Sequence, residues 1–125
     1  MNNQRKESRK RLVAFTPVYD LLHKTLIGYI GDLTPQGVMV IGEKPVEINK
    51  QLTLGIEFPD DESKTHILKI VISARAAWCR QDETPKYFNI GFEFLDISLE
   101  NAKIVDAILN RYQFRQVMNV SDLRS

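Results

Sequence analysis

Three residues with useful chemistry, Asp32, Thr34 and Gly37, lie within six positions of one another. A carboxylate, a hydroxyl and a bare backbone at this spacing could together hold a polar ligand. Connections between strands are common places for sites, because the strands hold them rigidly. The same residue types are also favoured in turns, where Asp and Thr bond to the local backbone and Gly tolerates positive φ. Taken alone, the segment is better explained as a structural turn than as a site.

The first eleven residues form a basic arm, although the whole chain carries a formal charge of only +1. The arm holds five basic residues and one acidic residue, which gives +4, so the rest of the chain sums to −3. Its basic residues are Arg5, Lys6, Arg9, Lys10 and Arg11. Such an arm favours an anionic partner: nucleic acid, acidic lipid or a small phosphorylated ligand. A solvated tail without a partner is the simpler alternative.

Length and composition favour one domain with a real core, since the chain has 125 residues and 43% of them are hydrophobic. A secretory signal is not expected, because Thr16, Pro17 and Asp20 interrupt the apolar run after the arm. No segment approaches the length that spans a bilayer. The single cysteine, Cys79, cannot form an internal disulfide, which favours a cytoplasmic location, and its context predicts a small buried side chain.

Alternating apolar and polar residues predict strands along most of the body. The clearest case is 51–58, where every second residue is large and apolar, the period of a half-buried strand. Pro17 favours an edge strand or a bend for the first strand. The predicted strands are 12–22, 24–33, 38–41, 51–58, 65–80 and 87–95. Six short strands with frequent turns predict a mainly β fold, a small six-stranded antiparallel β-barrel.

From Ser98 onward the apolar period becomes that of a helix. Ser98 is a suitable N-cap, Glu100 lies in the first turn, and apolar residues recur with three-four spacing. These apolar residues are Ala102, Val105, Ile108, Leu109 and Tyr112. We expect this C-terminal α-helix to pack on the barrel. The predicted single domain therefore has a flexible basic arm at 1–11, a barrel at 12–97, a helix at 98–115 and a tail at 116–125.

The arm and the turn together carry two motifs. Arg5 and Arg9 form R-x-x-x-R, and 32–37 has the form D-x-T-x-x-G, beginning twenty-three residues after Arg9. In this order, ahead of a predicted barrel, the chain resembles the PilZ domain, a family of bacterial receptors for cyclic di-GMP. The stretch 74–79 resembles the family's strand ending in tryptophan, and 89–94 resembles its I-G-x-x-F closing strand. The resemblance covers most of the chain.

The resemblance implies a ligand site made of Arg5, Arg9, Asp32, Thr34 and Gly37. Arginine suits this ligand, because its planar guanidinium can bond O6 and N7 of guanine or pair with a phosphate. Asp32 would accept hydrogen bonds from the Watson–Crick edge of a guanine. Thr34 would bond to the ligand or the neighbouring backbone, and Gly37 would permit the turn and a close approach of the base. No metal, catalytic residue or further cofactor is expected.

Two positions bear on how the ligand is held. The family has serine where this chain has Thr34, and the added methyl group and stiffer χ1 could crowd a base while keeping the hydroxyl. Gln4 occupies the position before the first arginine, which in the family influences whether one ligand or a stacked pair is bound. The sequence leaves the stoichiometry open.

The implied function is that of a receptor. Ligand binding would close the arm over the barrel and present a new surface to a downstream protein, a shift between two populations. In the family such partners include flagellar motor components, polysaccharide synthases and pilus machinery, and the sequence does not select among them.

The same residues leave three other functions to consider. A family member without nucleotide affinity, acting as a protein adaptor, is disfavoured by the intact Arg5, Arg9 and Asp32. A nucleic-acid-binding barrel is disfavoured by the acidic body and the lack of an aromatic and basic platform. An enzyme is not expected, because the two histidines, His23 and His66, are isolated and no nucleophile and base motif is present.

Overall fold

The structure is a computed structural model that describes residues 10–11, 16–59 and 67–113. Most of the predicted arm lies outside these residues, including Arg5 and Arg9, and so does the predicted tail. Within them the chain forms eight strands and one helix. The strands are β1 (Lys10–Arg11), β2 (Pro17–Asp20), β3 (Thr25–Thr34), β4 (Gly37–Gly42), β5 (Gln51–Pro59), β6 (Ile67–Gln81), β7 (Phe88–Phe94) and β8 (Tyr112–Gln113), and the helix is α1 (Leu99–Arg111).

Strands β2 to β7 close into a barrel in the order β2-β3-β4-β7-β6-β5, and every neighbouring pair is antiparallel. The predicted six-stranded antiparallel barrel is therefore confirmed. Strand β2 is bonded on both sides, to β3 and to β5, so the edge position favoured by Pro17 is wrong. The proline is accommodated because it is the first residue of its strand, and a register shift follows between Val18 and Tyr19.

The hydrophobic core fills the inside of the barrel. Side chains alternate across a strand, so every second residue points inward. In β5 the inward residues are those that the sequence predicted, with Leu54, Ile56 and Phe58 fully buried and Leu52 nearly so. Cys79, predicted to be buried, is half-buried against this core.

Helix α1 closes over the core as predicted. The Ser98 hydroxyl accepts a hydrogen bond of 3.0 Å from the amide of Asn101, which confirms Ser98 as the N-cap. Val105 and Ile108 are buried against the barrel, and the Asn101 side chain donates to the carbonyl oxygen of Val71 at 2.9 Å. The helix thus covers apolar surface that the barrel alone would leave exposed.

The helix ends at Arg111, whereas the sequence predicted that it continues to residue 115. The prediction is wrong for Tyr112 and Gln113, and residues 114 and 115 lie outside the described residues. Tyr112 and Gln113 instead form β8, which pairs in parallel with Lys10 and Arg11 of β1. A helix cannot offer free backbone groups to a neighbouring strand, so this pairing stops it. The last two residues of the predicted flexible arm are therefore paired with the segment that follows α1.

The turn from β2 into β3 is organised by Asp20, which is only 7% exposed. Its Oδ1 accepts hydrogen bonds from the amides of Leu22 and His23 at 3.1 and 3.3 Å, and its Oδ2 lies 2.8 Å from Nδ1 of His23. Burial alone would raise the pKa of the Asp20 carboxyl, but the hydrogen bonds and charge of His23 outweigh it, so the pKa is lowered below 3.8.

We expect Asp20→Asn to lower the free energy of unfolding by about 1–2 kcal/mol near neutral pH, because one charged acceptor of the turn is lost. A carboxyl with a lowered pKa stabilises the fold above pH 3.8, and that stability is lost as the pH falls through the folded-state pKa. The difference between parent and variant in urea unfolding should therefore shrink as the pH falls below 3.8. If parent and variant differed in the free energy of unfolding by the same amount near neutral pH and below pH 3.8, the loss would come from the shape of the side chain and not from its charge.

Candidate functional site

A β-bulge in β3 decides where Asp32 points. Ile30 pairs with Val40, but the next pair on the ladder is Asp32 with Met39, so Gly31 is an extra residue in β3. Leu33 pairs with Val38, and both are buried in the core. Because side chains alternate, Asp32 and Met39 lie on the outer face of the barrel. Asp32 is nevertheless only 9% exposed.

Thr34 organises the turn from β3 into β4. Its Oγ1 accepts hydrogen bonds from the amides of Gln36 and Gly37 at 3.2 and 3.1 Å. The same hydroxyl can donate to the Gly37 carbonyl oxygen at 3.4 Å. Of the two roles predicted for Thr34, the structure therefore contains the bond to neighbouring backbone, as expected of a hydroxyl in a tight turn.

The prediction that Gly37 is needed for the conformation of the turn is wrong. No glycine in the described part of the chain has a positive φ, so the turn does not require the conformational freedom of glycine. A Cβ atom on Gly37 would instead overlap the carbonyl oxygen of Phe92 in β7. The glycine allows the backbones of β4 and β7 to approach closely beside the turn.

We expect Gly37→Ala to lower the free energy of unfolding by about 1–3 kcal/mol, because the added methyl group meets fixed backbone. Gly31→Ala is the matched control. Its Cβ would approach the terminal methyl of Met39 at 2.7 Å, and the far end of a flexible side chain can move aside. Thermal or urea unfolding of the two variants should separate them, and equal losses would show that the contact of Gly37 with β7 is not limiting.

The pairing of the strands places four residues in one row on the outer face. Asp32 pairs with Met39, Met39 with Gly91, and Gly91 with Trp78, so the row crosses β3, β4, β7 and β6. The indole of Trp78 lies across Gly91, where a Cβ atom would overlap the ring at Nε1 and Cε2. The row therefore joins a carboxylate, a thioether and an aromatic ring on a single surface.

A shallow cavity of about 270 Å³ opens on this row. Asp32, Thr34 and Gly37 all line it, so the structure brings together the three predicted site residues that it describes. The described lining contains two carboxylates, Asp32 and Glu93, and neither lysine nor arginine. A ligand pocket usually measures 300–1,000 Å³, so a cavity of this size fits one part of a larger ligand, such as one base.

Glu93 forms an ion pair with Arg75 on the barrel surface. Its Oε1 lies 2.5 Å from Nη2 of Arg75, its cross-strand partner, and Nη1 of Arg75 donates to the Asn49 side chain at 2.7 Å. Both members of the ion pair are substantially exposed, so it contributes little to stability. Its effect is to hold the Glu93 carboxylate at the edge of the cavity.

A larger cavity of about 890 Å³ lies at a distance from these residues. It is bounded by the turn after β2, the first half of β3 and the loop from β4 to β5, with Ile27, Val46 and Leu52 among its apolar residues. None of Asp32, Thr34 and Gly37, the predicted site residues that the structure describes, lines it. Size alone would select the larger cavity, whereas the predicted site residues select the smaller one. We take the smaller cavity as the candidate site because function depends on the residues of a site.

Met39, Trp78 and Gly91 were not predicted as site residues. Trp78 and Gly91 carried the family resemblance, but their position beside Asp32 depends on pairings between strands that are distant in the sequence. Once the order β3-β4-β7-β6 is known, counting alternate residues along each strand from the bulge identifies all three.

Two kinds of feature are absent from residues 10–11, 16–59 and 67–113. No group of three or more His, Cys, Asp and Glu side chains is arranged to hold a metal ion. No helix is both long and apolar enough to cross a membrane.

A family model described as the PilZ domain matches residues 3–111. The chain belongs to the PilZ domain family, which confirms the resemblance seen in the two motifs. Members of this family act as binding and adaptor domains.

Comparison of structures finds a similar fold in the Bacillus subtilis inhibitor of motility, MotI/DgrA. The two share 14% sequence identity with a TM-score of 0.59 over 85% of this chain and 48% of that one. The chain therefore spans about half the length of this similar protein. Among curated proteins, none matches the sequence significantly.

Proposed function

We propose that the chain is a receptor for cyclic di-GMP that signals to a partner protein. The observation that carries this proposal is the bulge at Gly31, which places Asp32 on the outer face beside Met39, Gly91 and Trp78. Membership of the PilZ domain family supports it. In this arrangement Asp32 accepts from the Watson–Crick edge of one guanine, and the Trp78 ring offers that base a surface for stacking.

The phosphates need a second group of residues. The described lining of the cavity contains neither lysine nor arginine, so it offers a phosphodiester no positive charge of its own. Arg5 and Arg9, which lie outside the described residues, supply fixed positive charge and the planar donors that guanine and phosphate accept. We therefore assign base recognition to the barrel together with the arm, and charge neutralisation to the arm alone.

The arm is connected to the far end of the chain. Lys10 and Arg11, directly after Arg9, pair with Tyr112 and Gln113, directly after helix α1. A ligand that draws the arm toward the barrel would act on this short ladder, and so on the end of the helix. The proposed signal is a changed surface around the arm and α1, read by a downstream protein. Because the similar Bacillus protein is an inhibitor of motility, motility is the first output to test.

Titration calorimetry of cyclic di-GMP into the purified chain tests the proposal. We expect saturable binding, with Arg9→Ala and Asp32→Asn each weakening affinity by roughly 5- to 150-fold, the range for one good bidentate contact to a base. GTP should not compete. Lys103→Ala removes one exposed positive charge from α1 and should leave affinity unchanged at fixed ionic strength.

The adaptor without nucleotide affinity is the second candidate. One observation favours it: the Thr34 hydroxyl is already bonded within the turn, and its methyl group adds bulk at the cavity. Thr34→Ser restores the family's residue. Binding by Thr34→Ser but not by the parent would exclude the receptor function for this chain and leave the adaptor, whereas equal binding by both would exclude a steric role for the methyl group.

A further inference from the structure

Arg80 lies next to the candidate site without lining its cavity. It follows Trp78 by two residues in β6, so both side chains are on the outer face of the barrel. Its Cζ is 4.9 Å from the centroid of the Trp78 ring, within the distance of a cation–π contact. The guanidinium therefore rests on the ring that borders the site.

Among the described residues, the Trp78 ring is the partner of the Arg80 guanidinium. Its side chain forms neither a hydrogen bond nor an ion pair with another residue of 10–11, 16–59 and 67–113, in contrast to Arg75, which is bound by Glu93 and Asn49. The guanidinium does not bond to its cross-strand partner Asn89 either, although the buried Oδ1 of Asn89 has no hydrogen-bond partner among the described residues. Of the two arginines whose side chains are described, Arg80 is the one whose charge is met only by an aromatic ring.

The indole of Trp78 is thus fixed by two neighbours. The backbone of Gly91 lies against its pyrrole edge, and the Arg80 guanidinium lies over the ring. An aromatic side chain on a convex barrel surface would otherwise be free to change χ1 and χ2. A ring that is already in position loses less freedom when a ligand binds to it.

We propose that Arg80 is a positioning residue of the candidate site, which holds Trp78 in the orientation that receives a purine base. This inference rests on the proposed function and deepens it, because it names the residue that prepares the aromatic part of the site. Arg80 acts through Trp78 and does not itself contact the ligand.

The first measurement needs no ligand. Trp78 is the only tryptophan of the chain, so intrinsic tryptophan fluorescence reports on this ring alone. We expect Arg80→Ala to shift the emission to longer wavelength and to raise the acrylamide quenching constant, because the ring becomes mobile and more exposed. Arg80→Lys should restore part of the parent signal, since an ammonium group also binds an aromatic face, whereas Arg80→Met, which keeps bulk without charge, should not.

The matched control is Lys86→Ala. The Lys86 ammonium lies 5.8 Å from the centroid of the Tyr87 ring, so this variant removes the same charge from another cation–π pair that does not border the site. It should leave both the fluorescence of Trp78 and the affinity for cyclic di-GMP unchanged. Because Arg80 is exposed, its variants should fold, and their thermal unfolding checks this directly.

The second measurement is titration calorimetry of cyclic di-GMP into the same proteins. Arg80→Ala should weaken binding by about two- to fivefold, the size of one exposed cation–π contact, and Arg80→Lys should weaken it less. Unchanged fluorescence in Arg80→Ala would overturn the proposal, and if affinity also fell it would show that Arg80 contacts the ligand itself. Unchanged affinity despite altered fluorescence would overturn it as well, while leaving the proposed function intact. If the parent chain does not bind, both the proposed function and this inference fail.

Discussion

One extra residue in β3 determines which surface of the barrel can act as a site. Without the shift at Gly31, strict alternation from Ile30 would place Asp32 on the inner face with Leu33 outward. A carboxylate would then be buried in the core and a leucine exposed, at a cost of several kcal/mol for the charge alone. The bulge avoids this cost and at the same time aligns Asp32 with Met39, Gly91 and Trp78. The geometry of the site and the stability of the barrel therefore depend on the same local feature.

The glycines of the site act through close approach between neighbours. Gly37 lets β4 approach the backbone of β7, and Gly91 lets the pyrrole part of the Trp78 ring come close to the backbone of β7. The contact of Gly37 is with fixed backbone, so a side chain there would lower the stability of the barrel. The contact of Gly91 is with a surface side chain, so it bears on the shape of the site. Two residues of the same type in the same region thus serve the fold and the site separately.

The parts of the fold that follow from local patterns could be predicted from the sequence. Alternation identified the inward face of β5, and Ser98 marked the start of α1 through its capping hydroxyl. The end of α1 could not be predicted, because apolar spacing continues through Tyr112 and only pairing with β1, some hundred residues away, ends the helix. The same limit applies to the site. Asp32, Thr34 and Gly37 form a local motif, whereas Trp78 reaches them through a β4–β7 pairing and a bulge that no local pattern specifies.

The distribution of charge explains why the site needs two separate parts of the chain. On the described barrel surface, Glu93 pairs with Arg75 and Arg80 rests on Trp78, which leaves the cavity with carboxylates and no lining cation. Such a surface can accept hydrogen bonds from a base, but its described lining offers a phosphodiester no positive charge. Under the proposed function the arm supplies that charge, so base recognition and charge neutralisation involve different parts of the chain. A receptor built in this way reports the ligand through the position of its arm, which is the property a downstream protein can read.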